Sequence, residues 1–194
     1  IPKVLEQYTY RFEYNNIESL GKLFRGYKGK VAAVIMEPMA VEEPRGTFLQ
    51  HVKKLAHKEG ALLVFDEIVT GFRFALGGAQ EYFGVVPDLA CFGKSMANGM
   101  PISAVVGKAK YMKHMEDIFF SFTFGGECLS LAAALATIAE IERKRVIKHL
   151  WRVGRMLKEG THELLEKHDL HEFIELKGLP PWHVFAIRPA VGFS

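Results

Sequence analysis

The strongest constraint on the fold is the succession of an apolar run, a helical period and a second apolar run. Residues 31–36 are continuously apolar and rich in β-branched side chains (Val31, Val34, Ile35), and Glu37-Pro38 breaks the run. Residues 47–59 place Phe48, Val52, Leu55 and Ala56 on one helical face, and Gly60 supplies a C-terminal stop. Residues 61–65 are again apolar throughout and end at Asp66. A strand, a helix and a strand in this order need a crossover, so a parallel sheet with right-handed connections is expected. Shorter strands are expected at 89–92 and 103–106. With 194 residues, 49% of them hydrophobic, the chain can bury a core large enough for such an α/β layer.

Two chemically competent groups stand where these strands end. Asp66 closes the 61–65 run, and Lys94 follows the 89–92 run and Gly93, opening a turn that continues to Pro101. Open α/β sheets bind ligands at the carboxyl ends of their strands, so an acid and an amine there face one crevice. Taken alone, a lysine after glycine is ordinarily a surface side chain, and Asp66-Glu67 reads equally as a helix cap or a metal-binding pair. An amine held in a turn beside a carboxylate suits a different role, because it can form a Schiff base. Pyridoxal phosphate needs this pair: its aldehyde condenses with a lysine, and its ring nitrogen keeps a proton beside an acid.

The surrounding motifs decide between these readings. Glu37-Pro38, Asp66-Glu67-Ile68-Val69-Thr70-Gly71-Phe72-Arg73, Phe83-Gly84-Val85-Val86-Pro87-Asp88 and Gly93-Lys94 through Met100-Pro101-Ile102 resemble, in that order, the class III aminotransferases, pyridoxal phosphate enzymes of fold type I. Gly71-Phe72-Arg73 followed by Gly78-Ala79-Gln80-Glu81-Tyr82-Phe83-Gly84 is most similar to the glutamate-1-semialdehyde 2,1-aminomutase branch. The resemblance runs from about residue 29 to residue 141 and continues more weakly to the end. It implies part of a cofactor-binding large α/β domain at 1–141, a linking helix at 142–171 and the start of a small α+β domain at 172–194.

The resemblance also assigns roles. It implies Lys94 as the Schiff-base lysine and the proton carrier between the substrate's α-carbon and the cofactor's C4′. Asp66 is implied as the ring-nitrogen partner, Ile68 as the branched side chain on one ring face, and Glu37 as a carboxylate that orders the site. Thr123 resembles a threonine that binds the cofactor phosphate of the neighbouring subunit, which implies a homodimer. The implied activity moves an amino group on a small amino acid or amine, within glutamate-1-semialdehyde or between a donor and a carbonyl acceptor. A plain helix N-cap is the alternative for Thr123, a strand terminator for Glu37, and Glu67 reads as structural.

The chain departs from the family pattern in three places. Val69 stands where many members carry a glutamine, which the aminomutase branch also lacks. Gly125 and Glu127 stand where serine and asparagine are common in the phosphate loop, and Ala97-Asn98-Gly99 replaces a glycine run after the lysine. The family's upstream phosphate cup and the aromatic residue stacked on the ring are not found. The start at Ile1-Pro2 and the end at Ser194 read as those of a piece of a longer protein. A rival function is therefore a truncated, non-catalytic remnant that dimerises or binds ligand without turnover.

Other function classes find less support. Lys and Arg exceed Asp and Glu by only 25 to 22, without a dense basic block, so nucleic acid is not implied. The eight histidines show no HExxH or similar spacing, and no metal is expected. Gly77-Gly78 and Gly125-Gly126 read as turns, since neither belongs to a nucleotide-binding loop. The apolar stretches around 31–36 and 129–141 are too short or interrupted to span a bilayer. Cys91 and Cys128 lie in apolar segments without CxxC spacing, as buried thiols of a cytoplasmic protein would. His57 and Phe119, Phe120, Phe122 and Phe124 read as core or subunit-interface packing. Residues 127–141 are expected to be helical, and 142–168 to continue as helix with a bend at Gly154 or Gly160.

Overall fold

A sheet of four strands carries the groups singled out above. The computed structural model describes residues 2–119 and 123–188. Helices α1 (Lys3–Glu6) and α2 (Ile17–Gly26) precede β1 (Ala33–Met36), and α3 (Phe48–Lys58) crosses to β2 (Leu62–Asp66). The short α4 (Ala79–Tyr82) leads to β3 (Leu89–Phe92), and a 3-10 turn at Lys94–Met96 leads to β4 (Ala104–Gly107). There follow α5 (Ala109–Met112), a second 3-10 turn at Lys113–Glu116, α6 (Cys128–Arg143), α7 (Val146–Lys167), β5 (Ile174–Lys177) and β6 (Val184–Ile187). The two last strands pair antiparallel in a separate ribbon, joined across Gly178-Leu179-Pro180-Pro181.

The sheet order is β1-β2-β3-β4. Val34 pairs with Leu63 and Phe65 with Ala90 in parallel register, as the crossover of α3 predicts. The strand β4 runs antiparallel to β3, with Ala90 opposite Val106, so the sheet is mixed rather than uniformly parallel. A parallel return needs a crossover of a dozen or more residues, usually helical. The link from β3 to β4 contains only the three-residue turn Lys94–Met96, which suits a reversal.

Burial alternates along β1, β2 and β3, and one face is closed. Val34, Leu63 and Phe65 pack with Leu49, Val52 and Ala56 of α3 and with Leu20 and Phe24 of α2 in one core cluster. Ala90 and Phe92 pack instead with Met96, Ala97 and Ala134 of α6. The 31–36 run, apolar throughout, reads as a buried strand. Ile35 is nevertheless 65% exposed, because α2 and α3 cover the face that carries Val34 and Met36. No helix among the described residues is long and apolar enough to cross a membrane.

The helical stretch after residue 127 is broken where no glycine stands. Arg145 adopts the left-handed conformation (φ 52°, ψ 45°), and this ends α6 and starts α7. Gly154 and Gly160, the expected bends, lie inside one continuous helix of 22 residues. Gly154 serves packing: a Cβ there would overlap the carbonyl group of Pro180, which crosses directly above the helix. Gly154→Ala is therefore expected to destabilise by about 1–3 kcal/mol, since backbone has to move. A thermal melt should show the midpoint falling by about 2–10 °C; an unchanged midpoint would contradict this close approach.

At the edge of the sheet where β3 begins, a buried carboxylate ties three elements together. Asp88 is 1% exposed. Its Oδ2 accepts from the Leu63 N–H at 2.9 Å and lies 2.7 Å from His57 Nε2, while Oδ1 accepts from Lys108 Nζ at 2.7 Å. Burial by itself would raise this carboxyl, but the Leu63 amide, the Lys108 ammonium and His57 pull it down to about 2. His57 is thus a polar partner at the end of α3 and not apolar packing. Phe119 and Phe124 are 96% and 64% exposed, so they do not join the core either, and Phe120 and Phe122 lie outside the described residues.

Candidate active site

Three charged side chains converge where the parallel strands end. Glu37 follows β1 directly, Asp66 is the last residue of β2, and Lys94 opens the turn after β3 and Gly93. The pairings Met36 with Phe65 and Asp66 with Cys91 keep these strand ends level. Glu37 and Lys94 are exposed and Asp66 is half-buried. Partial burial, and next the negative charge of Asp66, raise the Glu37 carboxyl above its ordinary value, while Lys94 acts in the opposite direction. Glu37 therefore lies within electrostatic reach of both Asp66 and Lys94.

Local backbone chemistry explains how each is aimed. Asp66 Oδ1 accepts from the Ile68 N–H at 3.0 Å, the side-chain-to-backbone closure by which aspartate makes a turn. Lys94 has φ 42°, in the left-handed region. A residue other than glycine held there stores about 1–3 kcal/mol of strain, which persists only where the surroundings impose it, often at functional sites. The turn continues through Asn98 (φ 46°) and Gly99 (φ 112°), residue types that tolerate this backbone. The Ala97-Asn98-Gly99 replacement thus leaves a tight turn in place.

Ile68 reaches toward the same place. Its Cγ2 lies 3.7 Å from where a Cβ on Gly93 would stand, and Ser103 Cβ lies 3.8 Å from that point. The backbone before Lys94 is therefore lined by a branched side chain, and no side chain of its own intervenes. Cys91, the register partner of Asp66, is half-buried, and burial followed by the Asp66 charge pushes its thiol up. The second thiol, Cys128, is exposed at the start of α6, against the expectation that both are buried.

Thr123 is not gathered with this group. It is exposed in the turn before α6, and among the described residues no hydrogen bond joins it to Lys94, Asp66 or Glu37. The N-cap of α6 is Glu127, whose carboxylate accepts from the Leu129 N–H at 2.6 Å and the Ser130 N–H at 2.7 Å. Thr123 is accordingly not the cap of this helix. The acidic residue that departs from the family pattern uses its charge on the free amides of the first helical turn.

Comparison with known proteins shows the family. The family model for aminotransferase class-III matches residues 2–179. The chain belongs to the class III aminotransferase family. Among curated relatives, this class III chain is 42% identical over 159 residues to a glutamate-1-semialdehyde 2,1-aminomutase of Acetivibrio thermocellus, covering 78% of the chain and 37% of that relative. It is 39% identical over 174 residues to a 3-aminobutyryl-CoA aminotransferase of Cloacimonas acidaminovorans, covering 86% of the chain and 42% of that relative. The chain thus spans about two fifths of the length of these curated relatives. Among solved structures it is similar to the PLP internal aldimine form of the FumI protein of Sphingopyxis sp. MTA144, with a TM-score of 0.84 and 30% identity, covering 91% of this chain and 44% of that one. The family match begins well before residue 29, from which the resemblance above runs.

One contact of the segment after β2 in this class III chain carries no signal in sequence spacing. Arg73 donates from Nε to the Val69 carbonyl at 3.0 Å and from Nη1 to the Pro181 carbonyl at 3.4 Å, joining the loop after β2 to the turn before β6. Burial lowers its guanidinium from the ordinary arginine value. The second contact crosses 108 residues, so no local pattern announces it.

Proposed function

We propose that this chain supplies the lysine and the carboxylates of a pyridoxal 5′-phosphate site for amino-group transfer, with Lys94 as the Schiff-base residue. The observation that carries the reading is the convergence of Lys94, Asp66 and Glu37 at the ends of three adjoining parallel strands, where α/β sheets bind ligands. The donor set fits the cofactor: one accessible amine, one half-buried carboxylate on the next strand, and a branched side chain beside the backbone that carries the amine.

When bound, the cofactor supplies an aldehyde that captures amines and a ring that withdraws electrons. Lys94 would hold the cofactor through Nζ, and its amine would serve as the proton carrier at the substrate's α-carbon. Asp66 would present a negative charge to the cofactor's ring, which would favour its protonated form. Ile68 would offer the ring apolar contact and limit water there. Glu37 sits within electrostatic reach of both Asp66 and Lys94 and balances the charge of the amine. Thr123 is left for the cofactor phosphate of a neighbouring subunit in a homodimer.

The substrate class is a small amino acid or amine. Rearrangement within glutamate-1-semialdehyde is the first choice, supported by the Gly71-Phe72-Arg73 segment and by the aminomutases among the relatives. Transamination with release of a free keto product is the second, supported by the aminotransferase relative of similar identity. The proposed location is the cytoplasm, where the free thiols of Cys91 and Cys128 stay reduced. The protein is to be incubated with pyridoxal 5′-phosphate, reduced with borohydride and mapped by mass spectrometry. Selective labelling of the Lys94 peptide is the expected result. Label scattered over surface lysines, or none, would favour the rival remnant that folds without a working site.

A further inference from the structure

The residue after Asp66 is as constrained as any in the molecule. Glu67 is fully buried. Its Oε2 accepts from the Ala79 N–H at 2.8 Å and from the Thr70 hydroxyl, and its Oε1 accepts from the Gln80 N–H at 2.7 Å. Its own N–H donates to the Cys91 carbonyl at 2.9 Å, and its carbonyl accepts from the Gly71 N–H at 2.7 Å. Gly78 closes over the carboxylate: with φ 85°, a Cβ there would stand 2.6 Å from Glu67 Oε2. Both ends of this residue and both its carboxylate oxygens are thus occupied.

Burying a carboxylate costs several kcal/mol of desolvation, and a turn next to a strand does not need one. Its return here is precision. Three donors on two oxygens fix the rotation of the side chain as well as its position, and they link β2, through Glu67, to the first amides of α4. The backbone bond to Cys91 ties the same residue to β3, whose continuation is Gly93-Lys94. A reactive constellation tolerates displacements of only about 0.5 Å, and a supporting layer of buried hydrogen bonds supplies that tolerance.

We propose that Glu67 is a positioning residue, whose buried carboxylate, anchored on Thr70 and the first amides of α4, sets the 66–71 turn that aims Asp66 and Ile68 toward Lys94. This rests on the pyridoxal phosphate reading for its purpose, though not for its geometry. Glu67→Gln keeps the volume and turns one oxygen into an NH2 group facing a donor, which breaks at least one of the three bonds. Thr70→Val removes only the hydroxyl.

The test is residue-resolved amide exchange on the protein, with and without pyridoxal 5′-phosphate. In Glu67→Gln, exchange at Ile68 and Gly71 should quicken about tenfold while that of α3 stays unchanged. Thr70→Val should quicken the same two amides about threefold, and it carries the test if Glu67→Gln does not fold. With cofactor added, the pH midpoint of the bound chromophore should move by about 0.5 unit in Glu67→Gln and stay put in Asp88→Asn, which is destabilised at the opposite end of β3. Unchanged exchange at Ile68 and Gly71 overturns the proposal, as does equal acceleration throughout α3, or the same chromophore shift in both variants. A wild-type protein that takes no label at Lys94 would sink the cofactor reading separately, and the amide exchange would still decide whether Glu67 holds the turn.

Discussion

Lys94→Ala is expected to abolish borohydride labelling of the 94 peptide and to lower amino-group transfer by about 10²–10⁴-fold from the lost proton transfer alone. In the proposed site one amine serves twice, as the covalent anchor and as the proton carrier, and Lys94 is the amine placed beside Asp66 and Glu37 at the strand ends. Fold stability should be almost unaffected, because the side chain is exposed and the left-handed backbone at φ 42° is equally strained with alanine. Lys94→Gly should abolish the chemistry just as completely yet raise stability by about 1 kcal/mol, since glycine adopts that backbone freely. Turnover and thermal melts of the three proteins check both halves. Retained labelling in Lys94→Ala would transfer the role to another lysine.

The largest effect on stability is expected at the other end of the same strand. Asp88→Asn should cost about 2–4 kcal/mol at neutral pH, because the buried Leu63 amide loses its charged acceptor and Lys108 its counter-ion. His57 and Lys108 are partly exposed and recover some hydration, which keeps the figure below that of a wholly buried pair. The contribution has a definite pH window. The Asp88 carboxyl is held at about 2 in the folded protein against 3.8 for an unperturbed aspartate. Its stabilisation, about 2 kcal/mol, is therefore complete above about pH 4 and is lost as the pH falls through about 2. Urea unfolding between pH 7 and pH 2 should show wild type losing this increment while Asp88→Asn does not. Parallel curves would mean that the Asp88 cluster does not drive the acid sensitivity.

Asp88 also shows why the candidate site was easier to read than its supports. Pro87-Asp88 is visible in the sequence as a motif, but its partners are His57, 31 residues earlier, Leu63, 25 earlier, and Lys108, 20 later. Nothing in the local pattern around His57 distinguishes it from a packing residue. The same holds for Glu67, whose donors Ala79 and Gln80 are separated from it by a glycine-rich loop, and for the Arg73 contact to Pro181. In contrast, Asp66 and Lys94 are each marked by an adjacent apolar run and by the turn residues that follow.

The sequence by itself determined the strand, helix and strand of residues 31–66, the placement of Asp66 and Lys94 at the ends of strands, and the family. These depend on periodicity, on breakers and on ordered motifs, all of which act within a few residues. Tertiary structure alone decided that β4 runs antiparallel, that the long helix breaks at Arg145 and not at a glycine, that Thr123 stands apart while Glu127 caps α6, and which carboxylates are buried. Strand direction, helix breaks and charge pairing depend on which surfaces meet across the fold. That choice is made by packing between residues distant in the chain, and no local period encodes it.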